Sequence, residues 1–202
     1  AGGRDVDLLL VVDNTGSMYG EAVPAHTRFV PLMETLAETP GGLPDLHIGV
    51  TSTDLGAGPY DITYCEDEGG DGGRLLTGNC RQPTGAPYVV DVEPRGCAID
   101  KTLDGAGRVT ACGGHDCLPT HCDHEPAATL YEDELGCPRC RNYENESLAQ
   151  VLSCTASLGT LGCGFENTLE AMRLALHPST TDNAGFQRDG ALLAIAMVTN
   201  ED

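Results

Sequence analysis

The sequence is poor in aromatic and basic residues. Phe, Trp and Tyr make up 4% of the 202 residues and Trp is absent, so the core has to be built from aliphatic side chains. Lys and Arg number 11 against 31 Asp and Glu, which gives a formal net charge of −20. Since no basic stripe exists to displace counterions from phosphates, nucleic acid and anionic membranes are not expected as partners. An acidic surface attracts cations, although solubility alone also explains it.

Long apolar runs are also missing. Residues 8–12 form a strongly apolar stretch, but it is far too short to span a bilayer. No targeting segment is visible, and residues 1–3 resemble a processed or trimmed end. We therefore expect no transmembrane segment in this chain.

Cysteine, by contrast, is abundant, with ten residues in 202. Cytosolic chains rarely carry so many unless they bind metal, so an oxidising compartment and disulfide bonds are the better interpretation. This predicts a secreted protein or one on the cell-envelope surface. The pairing cannot be deduced from the sequence. A local Cys154–Cys163 bond between two helices and bonds from each of them to the middle of the chain both stay open.

Apolar patterning predicts an α/β fold from the two ends of the chain. Residues 6–12 and 46–52 have the pattern of buried strands, with a predicted helix at 21–38 between them that Pro31 should kink or split. Two further helices are predicted at 147–158 and 165–176, followed by another buried strand at 191–198.

Residues 56–145 differ from both ends, because apolar periodicity almost disappears. This stretch contains eight of the ten cysteines, and its apolar pieces, such as residues 88–90, are short segments that could be strands. It cannot build a core alone, so we interpret it as a large insertion held by disulfides. The predicted domains are 1–55 with 146–202, and the insertion 56–145.

The motif with the clearest chemistry is DNTGS at residues 13–17, directly after the first strand. Asp13, Thr15 and Ser17 alternate, so in an extended turn one carboxylate and two hydroxyls can converge on one point. Hard cations such as Mg²⁺ prefer such oxygen ligands. Open α/β sheets place their ligands beyond the carboxyl ends of strands, where this loop lies. The alternative is an ordinary turn that caps the next helix.

Residues 11–18, VVDNTGSM, resemble the first loop of the metal-ion-dependent adhesion site in von Willebrand factor A domains, whose pattern is Asp-X-Ser-X-Ser. Residues 164–172, GFENTLEAM, are similar to the second loop. This resemblance assigns a ligand role to Glu166, with Thr168 as the second choice. In the third loop Asn200 stands where the family usually has Asp, so Asp202 is an alternative ligand there.

The resemblance covers residues 6–54 and 146–202, and is narrower to Cys-rich A-type domains of bacterial surface lipoproteins. It implies a Rossmann-like sheet flanked by helices, and one Mg²⁺ (or Ca²⁺ or Mn²⁺) bound by Asp13, Thr15, Ser17, Glu166 and Asn200. It also implies a non-enzymatic adhesion module whose protein partner offers a carboxylate to the ion. An A domain continues beyond its third loop, so the chain is a fragment or an assembly partner completes the sheet.

Two alternatives come from different classes of protein. Cys and His residues are dense at 114–124 and at 137–140, which would suit a zinc-dependent enzyme or a zinc-binding structural module if the thiols were free. A purely structural envelope component is the other alternative. The acidic loop 66–73 lacks the spacing of a calcium-binding EF-hand, so a solvated loop is expected. The NES sequon at residues 145–147 is informative only in a eukaryotic secreted chain.

Overall fold

The fold was obtained as a computed structural model, which describes residues 4–20, 25–65 and 67–200. The strands in these residues are β1 (Asp5–Val12), β2 (Asp45–Ser52), β3 (Val89–Val92), β4 (Ile99–Leu103), β5 (Val109–His115), β6 (Thr129–Glu132), β7 (Pro138–Arg141) and β8 (Leu192–Val198). The α-helices are α1 (Ala25–Ala37), α2 (Leu148–Thr155) and α3 (Thr168–Ala175). Short 3-10 helices lie at Gly16–Gly20, Pro119–Cys122 and Thr181–Asn183.

The protein is a mixed α/β structure around one six-stranded sheet with the order β6-β7-β3-β2-β1-β8. β1 pairs in parallel with both β2 and β8, whereas β3, β7 and β6 add to β2 in antiparallel fashion. β4 and β5 form a separate two-stranded ribbon. The expected α/β class with helices flanking a sheet is therefore confirmed at this level.

Helices cover the two faces of β1 and β2. On one face, Leu8 and Leu10 pack with residues of α1 and α2. On the other, Leu9 and Val11 pack with Ala171 and the rest of the apolar face of α3. Because helices cover both faces of the sheet at β1, residues 8–11 of this strand are apolar and buried on both faces. None of the described helices is long and apolar enough to cross a membrane.

Three of the predicted elements differ from the structure. α1 runs without a break through Pro31, so the predicted split is wrong; residues 21–24 of that predicted helix lie outside the described residues. The helix predicted at 165–176 begins only at Thr168. β8 is not a buried strand, because it pairs only with β1 and leaves Leu192, Ile195 and Met197 exposed at the sheet edge.

Residues 56–145 contribute β3, β6 and β7 to the main sheet. Two disulfides, Cys65–Cys163 and Cys80–Cys154, join this stretch to the last quarter of the chain. The other three lie within it: Cys97–Cys117, Cys112–Cys137 and Cys122–Cys140. The possible local Cys154–Cys163 bond is wrong, because each of these cysteines pairs with the middle of the chain. All ten cysteines are in disulfides, as the composition predicts.

A buried ionic network joins these added strands to the rest of the sheet. Asp91 on β3 is fully buried and accepts a hydrogen bond from Arg139 Nε at 2.6 Å and another from the hydroxyl of Tyr143. Arg141 Nε lies 3.1 Å from the same carboxylate. Burial and the negative charge of Asp91 raise the pKa of Tyr143 well above its ordinary value. The carboxylate therefore neutralises two guanidinium groups that solvent cannot reach freely.

We predict that Asp91→Asn lowers the free energy of unfolding by about 3–5 kcal/mol, because it removes the nearest counter-charge of two largely buried Arg side chains and leaves Arg139 only the more distant Asp45, at 3.6 Å. Denaturant unfolding with the disulfides intact measures this. The control is Glu170→Gln, which breaks the exposed Glu170–Arg173 pair and should leave stability unchanged. Equal effects of the two substitutions would contradict the assigned role of Asp91.

A second buried pair links β2 to the segment that precedes β6. His47 Nε2 lies 3.1 Å from Glu125 Oε2, and His47 Nδ1 lies 2.9 Å from the carbonyl oxygen of Phe186. Both nitrogens of this buried ring therefore face acceptor oxygens. Burial disfavours the Glu125 carboxylate, but the hydrogen bond and charge of His47 outweigh it and lower the pKa of Glu125 below its ordinary value of 4.5.

Stability should therefore depend on the ionisation of Glu125. With a folded-state pKa below 4.5, its contribution is complete above that pH and is lost as the pH falls through the folded-state value. We predict that Glu125→Gln is less stable than wild type at about pH 6 and that the difference shrinks towards about pH 3. Denaturant unfolding at each pH measures it. A difference independent of pH in this range would refute the assignment.

Candidate functional site

Three parallel strands end at the same edge of the sheet. The pairing continues one residue past the strands, because Asp13 N donates to Val198 O at 2.8 Å and Thr53 N donates to Val12 O at 3.2 Å. The loops that follow β1, β2 and β8 therefore begin side by side. This edge is where ligands bind in open α/β sheets.

Asp13, the first residue after β1, is buried with its carboxylate held from two sides. Its Oδ1 accepts a hydrogen bond from the backbone of Thr15 at 2.9 Å, and its Oδ2 accepts one from the hydroxyl of Thr199 at 3.0 Å. These bonds fix the orientation of the only carboxylate in the DNTGS loop.

The two hydroxyls of the loop converge with the side chain that follows β8. Thr15 Oγ1 lies 2.9 Å from Ser17 Oγ. Ser17 Oγ in turn donates to Asn200 Oδ1 at 3.2 Å, and Asn200 Nδ2 donates back to Ser17 O at 3.2 Å. We call Asp13, Thr15, Ser17 and Asn200 the oxygen cluster. Ser17 and Asn200 are 183 positions apart in the sequence and meet because β1 and β8 are neighbours.

The spacing of these oxygens suits a small hard cation. Mg²⁺ binds oxygen at 2.0–2.1 Å in an octahedron, in which adjacent oxygens are about 2.9 Å apart. The Thr15–Ser17 separation of 2.9 Å equals this edge and the Ser17–Asn200 separation of 3.2 Å is close to it. Carboxylate, hydroxyl and amide oxygens are also the donor types that Mg²⁺, Ca²⁺ and Mn²⁺ accept. Both separations are also ordinary hydrogen-bond lengths, so the oxygen cluster offers donor atoms that such an ion could use.

Glu166 lies one strand away from the oxygen cluster. It forms an isolated antiparallel bridge with Asp54, and the next residue, Asn167, donates its backbone N–H to Thr53 O at 3.1 Å. Its backbone therefore lies at the same edge of the sheet as the loops after β1 and β8. Within the described parts of the chain, no hydrogen bond or ion pair joins the Glu166 carboxylate to the oxygen cluster. Thr168, the second choice, is the first residue of α3, and Asp202 lies outside the described residues.

The loop that carries Glu166 is fixed to the two strand ends by its backbone. Gly162 N donates to Asn14 O at 2.8 Å, and Cys163 N donates to Asp54 Oδ2 at 3.0 Å. The Cys65–Cys163 disulfide adds a covalent link to the loop after β2. The position of Glu166 thus depends on contacts with both neighbouring loops.

Sequence reasoning missed two polar residues that organise this edge. Thr199 orients the Asp13 carboxylate, and Asp54 holds the loop of Glu166. Both directly follow, or nearly follow, a strand that the sequence predicts. A polar residue just past a parallel strand is the signal that points to Asp13 and Asn200, and the same signal could have identified Thr199 and Asp54.

Two other clusters of ligand-type residues do not form a comparable site. Asp116 lies close to Cys97 and Cys117, but these two sulfurs are bonded to each other and offer no thiolate to a metal. In the acidic loop, Asp71 accepts a hydrogen bond from Ser52, and its backbone N–H donates to Asp54 O. This part of the acidic loop packs on the end of β2, and Glu66 lies outside the described residues.

Comparisons with protein-family models, with curated proteins and with solved structures found no match to this chain. Inference about its function therefore starts from the geometry of this edge.

We predict that Gly162→Ala disturbs the Glu166 loop, because an added methyl group would overlap the buried carboxamide of Asn14. Overpacking of this kind lowers stability by about 1–3 kcal/mol, which denaturant unfolding measures. Gly164→Ala is the matched control, since nothing lies within 4 Å of a methyl group there. If both variants unfold like the wild type, the close contact with Asn14 does not constrain this loop.

Proposed function

We propose that the protein is an extracellular protein-binding module that requires a divalent cation. The ion is Mg²⁺, Ca²⁺ or Mn²⁺, held by Asp13, Thr15, Ser17 and Asn200, with Glu166 as a further ligand. It leaves one position open for a carboxylate of the partner protein. The observation that carries the proposal is the oxygen cluster, with its 2.9 Å and 3.2 Å oxygen–oxygen separations.

The resemblance to von Willebrand factor A domains supports the same function. Its first and third loops correspond to residues that are hydrogen-bonded across β1 and β8, and its second loop begins beside the end of β2. A Rossmann-like A-domain architecture, with an assembly partner that completes the sheet, belongs to this proposal. Five disulfides are compatible with a secreted or cell-surface location.

The zinc alternative has less support. A zinc site in the Cys/His-rich stretch needs thiolates or a set of His ligands, and every cysteine is in a disulfide. A purely structural role for the metal loop differs from the proposed function in one respect. In that role the ion would stabilise the fold without any effect on partner binding.

Metal binding at the oxygen cluster is tested by thermal unfolding and calorimetric titration with MgCl₂, CaCl₂ and MnCl₂. Binding to the folded state alone should stabilise the wild type by about 2.7 kcal/mol at a free-ion concentration of 100 Kd. EDTA should remove this gain. Asp13→Asn and Ser17→Ala should each weaken binding at least about tenfold, because each removes one oxygen ligand or its charge.

Asp67→Asn is the control for non-specific attraction of cations to an acidic protein. Asp67 is exposed in the acidic loop, so its substitution should leave the affinity unchanged. A wild type that neither binds these ions nor responds to EDTA would refute the proposed function. If Asp67→Asn and Asp13→Asn weakened ion binding equally, the negative net charge of the protein would be enough to explain the binding.

A further inference from the structure

Large apolar side chains are exposed around the oxygen cluster. Six of them lie on the loops at this edge of the sheet and on the first turn of α3, with exposed fractions from 53% for Phe165 to 81% for Tyr19. We call them the apolar rim: Tyr19, Tyr60, Tyr64, Leu161, Phe165 and Leu169. They include four of the nine Phe and Tyr residues in a chain that has no Trp.

Backbone and covalent contacts hold the loops of the rim together. Tyr19 lies in the 3-10 helix that contains Ser17. Leu161 precedes Gly162, which is hydrogen-bonded to Asn14 O. Tyr64 precedes Cys65, whose disulfide to Cys163 joins its loop to that of Phe165. The loops that carry Tyr19, Leu161, Tyr64 and Phe165 are therefore held at the end of the sheet where the oxygen cluster lies.

Tyr64 is exposed at an energetic cost. Its backbone has φ of 66°, in the left-handed region that bulky residues rarely adopt, which costs on the order of 1–3 kcal/mol. Since its side chain is 58% exposed, burial of its ring in the described structure does not recover that cost. A partner that bound at this loop would bury the ring.

The charges around the rim define the chemistry of its partner. Residues 13–20, 54–70 and 158–170 contain several acidic residues, and not one Lys or Arg. A negatively charged bilayer would be repelled by them, as would a second copy of a chain with net charge −20. A polypeptide with apolar side chains flanked by Lys or Arg is complementary in both respects.

We propose that the apolar rim is the docking surface for a partner protein segment in which apolar residues are flanked by Lys or Arg. The proposal rests on the protein-binding function proposed above and names the chemistry of that partner. Clustered exposed apolar residues mark interaction sites in soluble proteins, and aromatic residues contribute strongly to binding energy there.

The test begins with selection of a phage-displayed library of random linear peptides on the immobilised protein, in MgCl₂ and in EDTA. Sequencing should show enrichment of Leu, Phe, Trp or Tyr next to Lys or Arg, and the metal function adds an Asp or Glu to peptides selected in MgCl₂. One enriched peptide is then synthesised with a fluorescent label and titrated by anisotropy. Its affinity should fall as NaCl is raised, because salt screens the charge complementarity. No enrichment, or enrichment of a different composition, overturns the proposal.

Two double variants with the same chemistry locate the binding surface. Leu161→Ser with Leu169→Ser changes the rim, where these side chains are 73% and 67% exposed. Leu103→Ser with Leu118→Ser changes two residues of the middle segment that are 53% and 59% exposed. The rim variant should weaken the peptide about tenfold or more, whereas the control should bind like wild type. Similar losses in both, or none in the rim variant, overturn the proposal.

EDTA distinguishes the contribution of the metal ion to peptide binding from the contribution of the apolar rim. Peptide binding that survives EDTA but is lost in the rim variant supports the rim and counts against the proposed metal function. Binding that EDTA abolishes and the rim variant leaves intact supports the metal function and overturns the rim. Sedimentation velocity and flotation with phosphatidylcholine–phosphatidylserine vesicles complete the test. Rim-dependent dimers or vesicle binding would mean that the surface has a different occupant.

Discussion

The parallel pairing of β1 with β2 and β8 is the constraint on which the rest of this structure depends. Parallel strands bring their carboxyl ends to one edge, so the loops after residues 12, 52 and 198 begin beside one another. Asp13 and Asn200 are far apart in the sequence and converge only because of this register. A change in strand order would separate the hydroxyls of the first loop from the amide of the last, and no local feature of either loop would compensate.

Residues 56–145 stabilise this arrangement from beyond β2, on the side of the sheet away from β8. Three of its strands continue the sheet beyond β2, and their polar interior is satisfied by the buried Asp91 and its arginine partners. The Cys65–Cys163 disulfide then connects the middle of the chain to the Glu166 loop. Residues 56–145 therefore extend the sheet beyond β2 and also restrain the Glu166 loop of the candidate site through this disulfide.

Much of the fold, and the meeting of Thr15 and Ser17 with Asn200 at one edge of the sheet, could be predicted from the sequence. The apolar runs at residues 6–12 and 46–52 have both faces buried, so their composition is a direct record of their environment. β8 has the same composition but lies at an edge, because apolar residues do not reveal how many neighbours a strand has. In residues 56–145 the apolar piece at 88–90 indicated a possible strand, and β3 lies there. β7 was hidden, because it contains Pro, Arg and Cys, whose burial depends on Asp91 and a disulfide rather than on hydrophobicity. Pairwise contacts of this kind leave no periodicity in a single sequence.

The presence of Asn200 rather than an acidic residue affects how the site can respond to an ion. Asp13 is the only carboxylate in the oxygen cluster, and its oxygens already accept two hydrogen bonds. The hydroxyls of Thr15 and Ser17 are bonded to each other and to the amide of Asn200, so their oxygens are held together without an accumulation of negative charge. Like charges at close range would repel and would need a cation to stay in place. In the proposed function, an ion would therefore meet oxygens that hydrogen bonds already hold together, and its occupancy would depend on ion concentration and on a partner's carboxylate.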